Sequence, residues 1–191
     1  MEYSPSNNIG KPENTPNQEG IDFVFEQYPE LSSIGSKEQY AQYLKTIFPK
    51  SSYGDIVYHR TDAEFENFDK KYLSSSSGYG KGFYFRNKKP QRGTSMGDAG
   101  HLKLALVNIK NMLIDADDKI YEDVMNMSHP IEFYLKDQFD GVRNPLDLGK
   151  GETIVLYEPE QIHILGSKND AEKFKDYIAG KNEDSDAPAP V

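Results

Sequence analysis

Apolar positions along the chain change period several times, and each change marks an element. From Ser36 to Phe48, Tyr40, Tyr43, Leu44 and Phe48 recur at helical spacing behind a serine suited to an N-cap, which predicts an amphipathic helix with its aromatic stripe on the core. Ile21 to Tyr28 carries a shorter helical pattern. Asp55 to Arg60 and Gly82 to Phe85 read as strands, joined by a polar connection through Phe65 and Phe68 and by the run Ser74-Ser75-Ser76-Ser77-Gly78. Leu102 to Ile109 is apolar enough for a buried strand, and Asp117 to Met127 and Pro130 to Phe139 return to helical spacing, with Pro130 suited to a first turn. Asp140-Gly141 signals a turn before another short strand. Thr153 to Tyr157 and Gln161 to Leu165 are strands separated by Glu158-Pro159-Glu160. A last helix is expected from Ser167 to Ala179, with Ser167 and Asp170 at capping-box spacing and Gly180 at the stop. Helices gathered at the two ends, around strands joined by irregular loops, predict an α+β domain rather than a regularly wound parallel sheet.

Composition sets the limits of that domain. Residues 1–18 are dominated by Ser, Asn, Pro, Glu and Lys, and residues 181–191 by Asn, Glu, Asp, Ala and Pro; neither bury enough apolar surface to offset ordering, so both are expected to be disordered tails around one domain spanning 19–180. A chain of 191 residues suffices for one good core. Its formal net charge of -9 and lack of a basic run disfavour nucleic acid as a partner, since phosphate binding rests on Lys and Arg. With no cysteine, disulfides and thiolate metal sites are excluded. Neither a signal-peptide pattern after Met1 nor an apolar run long enough to span a bilayer is present, so no membrane partner is expected. The chain is read as soluble, and as cytoplasmic or delivered into a target cell.

Common phosphate, dinucleotide and zinc motifs are missing. Gly78-Tyr79-Gly80-Lys81-Gly82 leads into a strand rather than a helix, and on glycine content alone reads as a turn. His101, His129 and His163 have no partner spacing and are expected to be structural or exposed; no metal is expected. What remains is His59 in Val57-Tyr58-His59-Arg60-Thr61, Tyr84 in Gly80-Lys81-Gly82-Phe83-Tyr84-Phe85, and Glu152 at the mouth of the strand Thr153-Ile154-Val155-Leu156-Tyr157, followed by Glu158-Pro159-Glu160-Gln161-Ile162. Each has an ordinary structural explanation by itself: a strand-end histidine, a core tyrosine, a solvated glutamate.

Together, in this order and each on its own strand, they resemble the His-Tyr-Glu signature of the diphtheria-toxin and poly(ADP-ribose) polymerase branch of ADP-ribosyltransferases. The Gly-Lys-Gly-aromatic-Tyr-Phe box is the most specific element, and the central region is similar to the small ADP-ribosyltransferase domains of bacterial phage and mobile-element polyvalent proteins. The resemblance covers about Asp22 to Ile178. It implies a split β-sheet core with flanking helices, NAD as a substrate that is cleaved between nicotinamide and ribose, and Glu152, His59 and Tyr84 as the catalytic set. Glu152 would stabilise the positive charge developing on the ribose and accept a bond from a ribose hydroxyl. His59 would bind another ribose hydroxyl, Tyr84 would wall the nicotinamide ring, and Gly82 would keep the strand edge slim. Arg60 and Thr61 complete the expected NAD contacts, the backbone of Arg60 gripping the nicotinamide amide.

The sequence departs from the family pattern twice. Arg60 stands where glycine usually follows the histidine, and Lys88 to Gly100 offers no aromatic where the related polymerases supply a second tyrosine. The expected activity is mono-ADP-ribosyl transfer to an unidentified acceptor, expected to be a protein. The alternative is a catalytically degenerate binding module on the same fold. A third reading, an RNA-processing transferase, would need converging cations, for which only Arg60, Arg86, Arg92 and Arg143 are available.

Overall fold

The structure, a computed structural model, describes residues 16–73, 78–89, 100–126, 131, 139–146 and 151–185. The Ser74–Ser77 run, most of the predicted Pro130–Phe139 helix and most of both predicted tails lie outside the described residues. Of the predicted tails, Gln18 opens a helix behind the extended Asn17, and residues 181–185 continue the last helix. Helix α1, Gln18–Gln27, starts behind Asn17, whose side chain accepts from Gly20 N at 2.7 Å and donates to Asp55 Oδ1 at 2.8 Å. Helix α2, Lys37–Ile47, has the predicted serine cap: Ser36 Oγ accepts from Gln39 N and Gln39 Oε1 accepts from Ser36 N, which satisfies two otherwise orphaned donors. Helix α3 is Lys119–Met125, and α4 runs Lys168–Ser185, straight through the predicted stop at Gly180. A lone helical glycine costs only about 1 kcal/mol, and α4 is anchored upstream by Phe174, Tyr177 and Ile178 on the core. Among the described residues no helix is long and apolar enough to cross a membrane.

Among the described residues seven strands form one mixed sheet: β1 Val57–Thr61, β2 Phe83–Arg86, β3 His101–Val107, β4 Met112–Ile114, β5 Gly141–Asn144, β6 Thr153–Leu156 and β7 Ile162–Ile164. Their order is β4-β5-β6-β2-β1-β3-β7; β4 and β5 are parallel and every other neighbour is antiparallel. The protein is thus α+β, as its pattern predicts. The short β4 was not predicted; three residues give too little alternation to reveal a strand whose partner follows nearly thirty positions later.

The pairing is uneven. β1 and β3 share five registered pairs and β2 and β6 share four, whereas β1 and β2 share one, Tyr58 with Arg86. The sheet therefore consists of two halves joined along a narrow seam. On one face, α1, α2 and α4 pack Ile21, Val24, Tyr40 and Phe174 onto Tyr58, Leu104 and Leu106 of the β1-β3-β7 half. On the same face of the other half, Tyr79, Ile120 and Ile131 cover Leu113, Val142 and Val155. The opposite face is a single cluster that crosses the seam, with Val57, Ala105, Val107 and Ile164 from one half and Phe83, Phe85, Ile154 and Leu156 from the other, capped by Tyr53 and Phe68.

One buried carboxylate ties the helical layer to the sheet. Asp170, fully buried in the first turn of α4, accepts from Tyr40 Oη at 2.5 Å, Tyr43 Oη at 3.0 Å and Gly166 N at 2.8 Å, and lies 2.6 Å from Nε2 of buried His163 on β7. Ser167 Oγ accepts from Asp170 N, so half of the predicted capping box forms while the Asp170 side chain turns inward. Because a buried donor that loses its acceptor cannot recover a bond from water, Asp170→Ala should cost about 3 kcal/mol or more. Tyr40→Phe, which removes one donor, should cost about 1–2 kcal/mol. Urea denaturation monitored by circular dichroism measures both, and equal losses in the two variants would contradict the hub.

Candidate functional site

At the seam between β1 and β2 the His59 ring meets the backbone of Tyr84, while Glu152 lies one strand further on, at the start of β6. Past the pair Tyr58 with Arg86 the strands have no further registered partners, and there His59 Nδ1 sits 2.8 Å from the carbonyl oxygen of Tyr84. A carbonyl can only accept, so Nδ1 carries the proton and Nε2 of the neutral ring is an acceptor. Burial pushes the imidazole below its ordinary value of 6.5, with the Tyr84 bond opposing. The ring packs among Phe68, Phe85 and Phe65, at centroid distances of 5.1, 5.5 and 6.4 Å. A neutral, oriented imidazole of this kind can accept a bond from a hydroxyl group.

Glu152 enters β6 through Gly151, whose φ of +81° is a left-handed turn that a side chain would strain; a Cβ there would also stand 2.7 Å from Asn87 Oδ1. That amide oxygen accepts from Glu152 N at 2.8 Å and so fixes the start of the strand. The Glu152 side chain meets Arg143 of β5 in a two-pronged ion pair, Nε to Oε2 at 2.9 Å and Nη2 to Oε1 at 2.7 Å, the two side chains remaining 18% and 27% exposed. The bond to Glu152 lifts the Arg143 pKa still further above its ordinary value, against the effect of burial. Tyr53 lies alongside: burial first, then the charges of Asp55 and Glu152, push its hydroxyl upward, and Arg143 partly offsets them.

Register decides which side chains share a face. Phe85 pairs with Ile154 and Arg143 with Ile154, so Phe85, Arg143 and, two residues before Ile154, Glu152 all point to the face where His59 packs on Phe85. His59 and Glu152 lie on the two strands that flank β2, on the same face. Tyr84 pairs with Val155 and lies on the other face. Its hydroxyl donates to the carbonyl of Gly80 at 3.0 Å and accepts from Tyr79 N at 2.8 Å. Tyr84 therefore touches His59 through its backbone and not through its ring. Arg60 projects to the same face as Tyr84, and Thr61 ends β1 with its hydroxyl oxygen accepting from Ala63 N.

One motif glycine and one motif amide have packing reasons. A Cβ on Gly82 would meet Val155 Cγ1 at 2.6 Å and the Leu156 carbonyl at 2.9 Å, so close approach to β6 already requires glycine. Gln161 accepts from the amides of Tyr157 and Glu158 and donates to the carbonyls of Asn108 and Asp140, clamping the turn between β6 and β7 to its surroundings. Sequence reasoning singled out neither Arg143 as the partner of Glu152 nor Tyr53 beside it. The one available signal was a lone arginine in a strand otherwise made of buried positions.

Of the predicted aromatic-free stretch, 90–99 lies outside the described residues. Among the described residues no three His, Asp or Glu side chains cluster as metal ligands. A surface hollow of about 370 Å³ opens beyond Phe68, between Glu66, Ile162, Ile164 and Asn169. Compared with known proteins, no family model matches the chain and no curated protein is significantly similar to it.

Depression of the His59 pKa has a definite sign. Between the folded value and 6.5 the unfolded chain binds more protons, so stability rises with pH through that window and is lost as pH falls through it. His59→Gln keeps a donor for the Tyr84 carbonyl and removes the titration. The wild type should lose more stability than this variant between about pH 7 and pH 5. Paired urea titrations check this, and parallel losses would rule out a depressed His59.

Proposed function

We propose that the chain is an NAD-dependent mono-ADP-ribosyltransferase built on a split-sheet, ADP-ribosyltransferase-like core. The observation that carries the reading is a neutral imidazole, held by a backbone carbonyl at the parting of two strands, on the same face as a carboxylate two strands away. In this reading the ribose lies between His59 and Glu152. His59 Nε2 accepts a bond from one ribose hydroxyl and Glu152 from another.

The bond from the ribose anomeric carbon to the nicotinamide nitrogen breaks with its electron pair leaving on nicotinamide. The positive charge left on the sugar is stabilised by Glu152, whose attraction grows as that charge develops. The acceptor oxygen or nitrogen then bonds to the anomeric carbon and gives its proton to Glu152 or to water. Nicotinamide lies at the seam against the Arg60 and Thr61 backbone, with Gly82 keeping β2 close to β6, and Tyr84, whose ring faces the other side of the sheet, contributes through the carbonyl that holds His59. The acceptor is taken to be a protein, and a small acidic domain offers little surface for building a polymer.

A second reading has its own observation. Glu152 is already paired with Arg143, which offsets the charge that the transition state would use. A degenerate binding module of a phage or mobile element would tolerate such a pair without turnover. Incubation with NAD labelled in its ADP-ribose part and lysate, read as label transferred to an acceptor, separates the two. Turnover in the wild type that falls about 100-fold or more in Glu152→Ala supports the transferase. Silence of both proteins at millimolar NAD, with NAD still bound in calorimetry, supports the module.

A further inference from the structure

Beyond the set His59, Tyr84 and Glu152, we infer that Arg143 is a positioning residue that fixes the plane and direction of the Glu152 carboxylate, an inference that rests on the transferase reading. A glutamate at the entrance of a strand has three side-chain torsions and no intrinsic reason to hold one of them. Arg143 supplies the reason. It occupies the neighbouring strand opposite Ile154, two residues from Glu152 on the same face, so the guanidinium reaches the carboxylate across a single strand spacing.

Its two bonds are parallel, one to each oxygen, which sets both the distance and the rotation of the carboxylate. A carboxylate has about four lone-pair positions; two are used by the fork, and two remain for ligand hydroxyls. The carboxylate keeps acceptor capacity while losing rotational freedom. A lysine at this position would supply charge without the fork. A partly buried fork of this geometry also adds to folding, so kinetics and chemical rescue, not stability, must separate a positioning role from a structural one. The arginine is itself held, since its strand lies between β4 and β6 and its backbone carbonyl accepts from Asp115 N at 2.9 Å.

Nicotinamide release by Arg143→Lys, Arg143→Ala and Glu152→Ala tests the assignment. Displacing a catalytic group by about 1 Å costs on the order of 100-fold in rate, so Arg143→Ala should lose kcat by that order with KM for NAD unchanged, and Arg143→Lys should fall between it and the wild type. Millimolar guanidinium or ethylguanidinium, below denaturing levels, should restore turnover in Arg143→Ala and leave Glu152→Ala inactive; a purely structural role would not show this rescue. Unchanged or increased kcat in Arg143→Ala overturns the inference, as does a folded Arg143→Ala that guanidinium cannot rescue. Where Arg143→Ala does not fold, the Arg143→Lys variant decides, and wild-type kcat in it overturns the inference. Full turnover in Glu152→Ala would instead remove the reading on which the inference stands.

Discussion

A seven-stranded sheet whose central neighbours share one registered pair cannot rely on its own hydrogen-bond ladder to stay whole. On the helical face the two halves have separate cores, so that face adds little across the seam. Continuity comes from the other face, where Val57 and Ala105 of one half pack with Phe83, Phe85, Ile154 and Leu156 of the other beneath Tyr53 and Phe68. His59 belongs to this bridge twice, through its ring contacts with Phe68 and Phe85 and through its bond to the Tyr84 carbonyl. The parting of β1 from β2 and the packing that holds the halves together thus share one residue.

Much of the local structure was legible because its causes are local. The Ser36 capping box and the apolar run of β3 each carry their signal within a few residues, whereas Gly141, expected in a turn, is the first residue of β5. What was hidden depends on partners far along the chain. β4 exists because β5 pairs with it, α4 continues because its upstream face is anchored, and Gln161 matters through carbonyls at Asn108 and Asp140. Candidate site residues divide in the same way. Their identity and strand assignment could be read from the motif, but the face each one occupies follows from inter-strand register, which sets Tyr84 apart from His59 and Glu152. Arg143 was visible only as a charge in a short strand, and its partner emerges from the pairing of β5 with β6.

Two carboxylates illustrate how burial separates structural from chemical roles. Asp170 is enclosed and meets hydroxyl, imidazole and amide groups on all sides, with no approach for a ligand. Glu152 has one arginine and a partly open flank. The first arrangement secures a helix to a sheet; the second leaves lone pairs facing outward.

The ring of His59 is embedded among phenylalanines, and this bears on how such a domain would age under mutation. A descendant that had lost all chemistry would still be selected to keep an imidazole there, because replacing it would disturb the cluster that spans the seam. The Glu152 side chain is held by Arg143 rather than by an aromatic cluster, and the pair could be lost together once turnover ceased to matter. Across related chains, then, a retained histidine would testify mainly to the integrity of the fold, and the carboxylate opposite Asn87 would be the better witness to surviving function.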